Sequence, residues 1–136
     1  MRGLLADADI RGQVRALAAY CAGQRWAEYW SAFGVPFLEF EDVGRPLNAS
    51  DSQVWTICQE RELLLITANR NRESDDSLEA TIRTRGTINS LPVLTVADPN
   101  RILLDSEFAN SIIERLLDVL LELDRVRGCG RLYLPR

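Results

Sequence analysis

Apolar positions along this chain follow two rhythms. Three runs are continuous and short, a fourth is broken by Glu39, and each stops at or just before a carboxylate or an amide. They are Leu4-Leu5-Ala6-Asp7-Ala8-Asp9, Phe37-Leu38-Glu39-Phe40-Glu41-Asp42, Leu63-Leu64-Leu65-Ile66-Thr67-Ala68-Asn69 and Leu91-Pro92-Val93-Leu94-Thr95-Val96-Ala97-Asp98. Continuous runs of this kind suit strands buried on both faces, as in a parallel sheet, and predict strands at about residues 3–7, 37–40, 63–67 and 92–96. Between them the spacing changes to three and four. Ile10, Val14, Leu17, Ala18 and Cys21 predict a helix over about 10–22. After Gly23, the residues Trp26, Tyr29, Trp30 and Phe33 continue a helical face that Gly34 ends. Ser50-Asp51-Ser52-Gln53 reads as a capping box opening a helix over about 51–61, with Val54, Trp55, Ile57 and Cys58 inward. A second cap, Asp76-Ser77-Leu78-Glu79, opens a helix that Gly86 stops, and a long stripe from Phe108 to Leu123 predicts a last helix over about 106–126. Glu41 to Ala49, with Gly44 and Pro46, reads as a loop, and Arg131-Leu132-Tyr133-Leu134 as a short edge strand.

The order βα(α)βαβαβα predicts a three-layer α/β/α sandwich around a mostly parallel sheet. At 136 residues one domain is expected, with no internal repeat. In open sheets of this class, ligands bind outside the carboxyl ends of the strands, near the point where strand order reverses. Asp7, Asp9, Asn69 and Asp98 are therefore expected on one rim although far apart in sequence. Oxygen ligands with no lysine or histidine beside them suit a hard divalent cation, Mg²⁺ or Mn²⁺. Each residue also has an ordinary structural use. Asp7 or Asp9 can cap the first helix, Asp51 can serve its own helix dipole, and Asp98-Pro99-Asn100 is a common turn sequence.

Composition removes several chemistries. Histidine is absent, which excludes Ser-His-Asp and Cys-His catalysis and makes a Cys/His zinc site untenable. All 16 basic residues are arginine, so Schiff-base chemistry and a standard Walker loop are excluded as well. The net charge of −4 opposes broad, non-specific nucleic-acid binding, leaving room for a local arginine patch. Cys21, Cys58 and Cys129 are too scattered for a metal motif, and the first two fall on helical apolar faces as buried thiols. No run approaches the roughly 18 apolar residues of a membrane span, and the N-terminus shows no signal-peptide pattern, so no membrane contact and a cytoplasmic location are expected. The last helix has a stripe wider than core packing needs. It is either a central helix buried all round or one that also forms a homodimer interface.

Three short motifs resemble the PIN-domain-like proteins, especially the short bacterial branch related to toxin–antitoxin ribonucleases. Leu5-Ala6-Asp7-Ala8-Asp9 is similar to the family's first strand end, Ala49-Ser50-Asp51-Ser52 to its A-S-D-E-like helix start, and Leu65-Ile66-Thr67-Ala68-Asn69-Arg70-Asn71 to its L-V-T-N-D-x-D strand end. The resemblance spans about residues 3–98, with extra helix between 22 and 35. It implies a divalent-metal-dependent ribonuclease, with RNA as substrate, a possible antitoxin-like partner, and Asp7 and Asp51 as acidic ligands. The chain departs from the pattern where the family's aspartates fall on Asn69 and Asn71, which removes charge from the ion. Asp98, or Asp75 and Asp76, are candidates to restore it, with Asp9 a further ligand beside Asp7. Arg70 and Arg72 are either phosphate clamps or solvated loop residues. Two alternatives stand beside this reading. One is a non-catalytic PIN-like module with a degenerate metal site. The other is a haloacid-dehalogenase-like phosphatase, suggested by the D-x-D of Asp7 and Asp9 but lacking that family's lysine.

Overall fold

The computed structural model describes residues 1–69 and 77–135. Five strands form one all-parallel sheet in the order β2-β1-β3-β4-β5. They are β1 (Gly3–Ala6), β2 (Phe37–Leu38), β3 (Leu63–Thr67), β4 (Val93–Val96) and β5 (Arg131–Leu134). The helices of the described residues are α1 (Arg11–Ala22), α2 (Ala27–Phe33), α3 (Asp51–Arg61), α4 (Leu78–Arg85), α5 (Arg101–Leu104), α6 (Ser106–Leu121) and α7 (Leu123–Val126). Strand order turns back between β1 and β3, so the switch point of the sheet lies beside the end of β1.

Side chains alternate across the sheet and divide the core in two. Leu4, Ala6, Leu64, Ile66, Leu94, Val96 and Leu134 pack with α1, Trp26 and α6 on one face. Leu5, Leu63, Leu65 and Val93 pack with Val54, Trp55, Ile57 and Cys58 of α3 and with Leu78 of α4 on the other. Burial on both faces is why β1, β3 and β4 carry no polar alternation. Two threonines interrupt this apolar pattern. Thr67 and Thr95 face each other in register across β3 and β4 and are fully buried on the α3/α4 side.

Several boundaries differ from the sequence expectation. Strand β1 stops at Ala6, because Asp7 caps a 3-10 turn over Ala8–Ile10 that feeds α1. Strand β2 is only two residues long. The Asp42 carboxylate accepts the Glu39 N–H and closes a second 3-10 turn, Phe40–Val43, which buries Phe40 and Val43 instead of extending the sheet. The expected last helix is divided at Glu122 into α6 and α7, and α5 is an additional turn that follows Asp98-Pro99-Asn100.

Helix α6 is a core helix along most of its length, with Ala109, Ile112, Ile113, Leu116, Leu117 and Val119 buried. Its last residue, Leu121, is exposed, and so is Tyr29 of α2 across a shallow groove. Cys21 and Cys58 are buried free thiols and Cys129 is exposed. No helix among the described residues is long and apolar enough to cross a membrane.

Candidate functional site

The carboxyl rim of β1 and β3 is built from residues one step beyond the apolar strands. The Asp7 backbone N–H donates to the Ile66 carbonyl at 2.9 Å, which extends the β1–β3 ladder by one residue. Asp7 is thereby fixed opposite Thr67. The Thr67 hydroxyl donates to Asp7 Oδ2 at 2.6 Å, and the Ala8 backbone N–H donates to Oδ1 at 2.8 Å. The same hydroxyl oxygen accepts the Asn69 N–H at 2.9 Å, which turns the chain at the end of β3. One threonine thus ties the Asp7 carboxylate to the backbone of Asn69.

The second half of the site comes from the start of α3. Ser50 accepts from the Gln53 N–H while the Gln53 side chain accepts from the Ser50 N–H, so the capping box read from the sequence is formed. With Ser50 occupied as cap, the Asp51 carboxylate is left for longer contacts. Its Oδ2 accepts the Asn69 side-chain amide at 2.9 Å and the Leu78 backbone N–H, at the start of α4, at 3.0 Å. Asn69 is therefore a donor to Asp51 here.

Burial is the main cause that pushes the Asp7 carboxyl above the usual carboxylate range. The bonds from Thr67 and Ala8 pull it back in part, and the charges of Asp9 and Asp51 push it further in the same direction as burial. Asp7, Asp9 and Asp51 are thus electrostatic neighbours, and no arginine among the described residues forms an ion pair with any of them. The thiol of Cys58 belongs to the same neighbourhood. Burial first, and then the Asp7 charge, push it up to about 12, which keeps it a thiol and removes it as a nucleophile.

A third group was not singled out in the sequence. Arg131, the first residue of β5, is almost enclosed, with its side chain 9% exposed. Its Nη1 donates to the Asn69 carbonyl at 2.8 Å and to the Thr95 hydroxyl at 2.6 Å. Its Nε and Nη2 both donate to Glu79 Oε2, at 3.1 and 2.8 Å. A cue was present. Thr67 and Thr95 are polar side chains inside otherwise apolar strands, and buried hydroxyls need partners.

The structure thus brings together Asp7, Asp51 and Asn69, with Asp9 exposed nearby on the 3-10 turn. Asp98 is exposed beyond β4, and its side chain makes no hydrogen bond among the described residues. The turn it belongs to is tied to α1, where Gln13 donates to Asn100 Oδ1. Arg70, Asn71, Arg72, Asp75 and Asp76 lie outside the described residues. Among the described residues no three Asp, Glu, Cys or His side chains form a ready-made metal cluster. Comparison with known proteins finds no family model, curated protein or solved structure that matches this chain, so the PIN-like resemblance rests on its motifs alone.

Proposed function

We propose that the chain is a PIN-like ribonuclease whose reaction depends on Mg²⁺ or Mn²⁺ at Asp7 and Asp51. The observation that carries this reading is the meeting of two partly buried carboxylates from separate motifs at the sheet's switch point. Burial and two neighbouring charges make the ionised form of Asp7 unfavourable. A cation is worth most at such a place.

The donor set fits an ion of this kind. Mg²⁺ commonly keeps several waters and is held by one or two carboxylates plus a substrate phosphate, so a two-acid site is sufficient. Asp7 and Asp51 would hold it, with Asp9 close enough to add negative field. When bound, such an ion supplies charge for the phosphate and acidity for a water molecule. The chain's own residues do the positioning. Thr67 fixes Asp7 Oδ2, the Ala8 N–H fixes Oδ1, and Asn69 with the Leu78 N–H fixes Asp51 Oδ2. Donors that hold a carboxylate in one rotamer reduce the ordering cost of binding and of the transition state.

One observation favours a second reading, a non-catalytic PIN-like module. The Asn69 amide already donates to Asp51 Oδ2, so that oxygen has a partner without an ion. Cleavage of a labelled RNA panel in Mn²⁺ separates the two. Activity in the wild type that Asp7→Asn and Asp51→Asn each abolish supports the nuclease. RNA retention with no Mn²⁺-dependent cleavage, at the same level in all three proteins, supports the module. An antitoxin-like partner and a homodimer through the α6 region belong to the same proposal. For the dimer, light scattering should give twice the 15.4 kDa chain mass, and Leu121→Arg should return it to the monomer.

A further inference from the structure

The contacts of Arg131 close a ring through the site. Its guanidinium holds the Asn69 carbonyl, and the Asn69 side chain holds Asp51 Oδ2. The same Asp51 oxygen accepts from the Leu78 N–H, and the next residue, Glu79, takes the other edge of the guanidinium. One nearly buried side chain from the far edge strand therefore sets the end of β3 and the start of α4 together. Those are the two places that donate to Asp51. Arg131 touches neither Asp7 nor Asp51 directly, and Glu79 already balances its charge.

We propose that Arg131 is a positioning residue for Asp51: its guanidinium, by geometry rather than by charge, fixes the Asn69 and Leu78 donors that orient the Asp51 carboxylate. The consequence for a bound cation rests on the reading of Asp7 and Asp51 as the ion site. The ring itself does not.

Geometry and charge make opposite forecasts for two conservative variants. Arg131→Lys keeps the positive charge but cannot reach Glu79, Thr95 and Asn69 with the planar fork that arginine presents. Glu79→Gln removes a charge, yet its amide oxygen can still accept both bonds now made to Oε2. Two readouts are taken on the intact chain. One is solvent exchange of the Asn69 side-chain amide protons by NMR, assigned by their loss in Asn69→Asp, and the other is calorimetric Mn²⁺ affinity.

The expected result is that Arg131→Lys speeds Asn69 amide exchange at least tenfold and weakens Mn²⁺ binding by about 10-fold, the lower end for loss of a residue supporting a metal ligand. Glu79→Gln should leave both near wild type. Wild-type exchange and affinity in Arg131→Lys, or a loss in Glu79→Gln with Arg131→Lys unaffected, would overturn the proposal. If Arg131→Lys does not fold, Thr95→Val decides. It removes one guanidinium partner from a buried apolar setting, and faster Asn69 exchange supports the ring while unchanged exchange overturns it. A wild type that binds no Mn²⁺ ends the ion-site reading, and the NMR arm then still decides the role of Arg131.

Discussion

Asn69→Asp is the change that exposes how the site is balanced. In the wild type the Asn69 amide donates to Asp51 Oδ2 at 2.9 Å. An aspartate at that position loses a hydrogen bond to a charged acceptor, worth roughly 1.5–3 kcal/mol. It also places a second carboxylate against Asp51. At about 4 Å and an effective dielectric of about 20, that repulsion amounts to about 4 kcal/mol before relaxation. Both side chains are partly exposed, so rotation and solvent screening remove a large part of it. A net destabilisation of about 2–4 kcal/mol in metal-free protein at neutral pH is the reasoned outcome. For a chain of this size that corresponds to a melting temperature lower by roughly 10 °C.

The repulsive part of that cost requires both carboxylates to be ionised. It should therefore shrink as pH falls toward about 4, where carboxylates take up protons. Millimolar Mn²⁺ should also reverse it, raising the melting temperature of Asn69→Asp more than that of wild type, because the ion binds the native state and tightens with added charge. Tryptophan-monitored melts at pH 7.5 and pH 4, each with chelator or Mn²⁺, provide the assay. Asn69→Asp melting together with wild type in chelator at pH 7.5 would refute the Asn69–Asp51 account. A deficit of equal size at both pH values would show that charge is not its cause.

Other outcomes follow from the same contacts. The raised Asp7 carboxyl makes the native state bind a proton more readily than the unfolded chain, so metal-free stability should fall as pH rises from the unfolded value near 3.8 through the folded one. Asp7→Asn should flatten that slope in denaturant titrations, and a slope unchanged by the substitution would count against the assignment. Thr67→Val removes the donor to Asp7 and the acceptor for the Asn69 N–H, at a cost of roughly 1.5–3 kcal/mol. It should also raise the Asp7 carboxyl further, which carbon-detected NMR can follow. Gly128 has φ of +84°, and a Cβ there would lie 2.8 Å from the Ile88 carbonyl oxygen. Gly128→Ala should cost about 1–3 kcal/mol by denaturant melting, since the backbone and its neighbour cannot both stay.

How much of this was legible in the sequence depended on whether a feature was local. Strands β1, β3 and β4 declared themselves because continuous apolar runs suit burial on both faces. The Ser50–Gln53 and Ser77 caps were readable because each cap acts within four residues. β5 proved to be the edge strand expected from Arg131 to Leu134. Phe40 misled, since an apolar residue two places beyond Leu38 prolongs a strand pattern equally well when it is buried by a 3-10 turn. Asp98-Pro99-Asn100 was recognised as a turn, but nothing in it announced that the turn continues into α5.

In the candidate site, Asp7, Asp51 and Asn69 were marked by their place at strand and helix ends. Asp98 was marked by the same rule, and it is exposed beyond β4 with no hydrogen bond from its side chain to the other three among the described residues. Thr67 and Thr95 passed as ordinary strand formers, and their role became visible only with the β3–β4 register. Arg131 is 62 residues from Asn69, and no local pattern reports a contact of that range.

The central claim is that Asp7 and Asp51 share a divalent cation, and calorimetric titration of Mn²⁺ into metal-free wild type, Asp7→Asn and Asp51→Asn at pH 7.5 tests it most directly. The account predicts one saturable site in the wild type and at least tenfold weaker binding in each variant. Equal affinities in the three proteins, or no binding in the wild type, would contradict it.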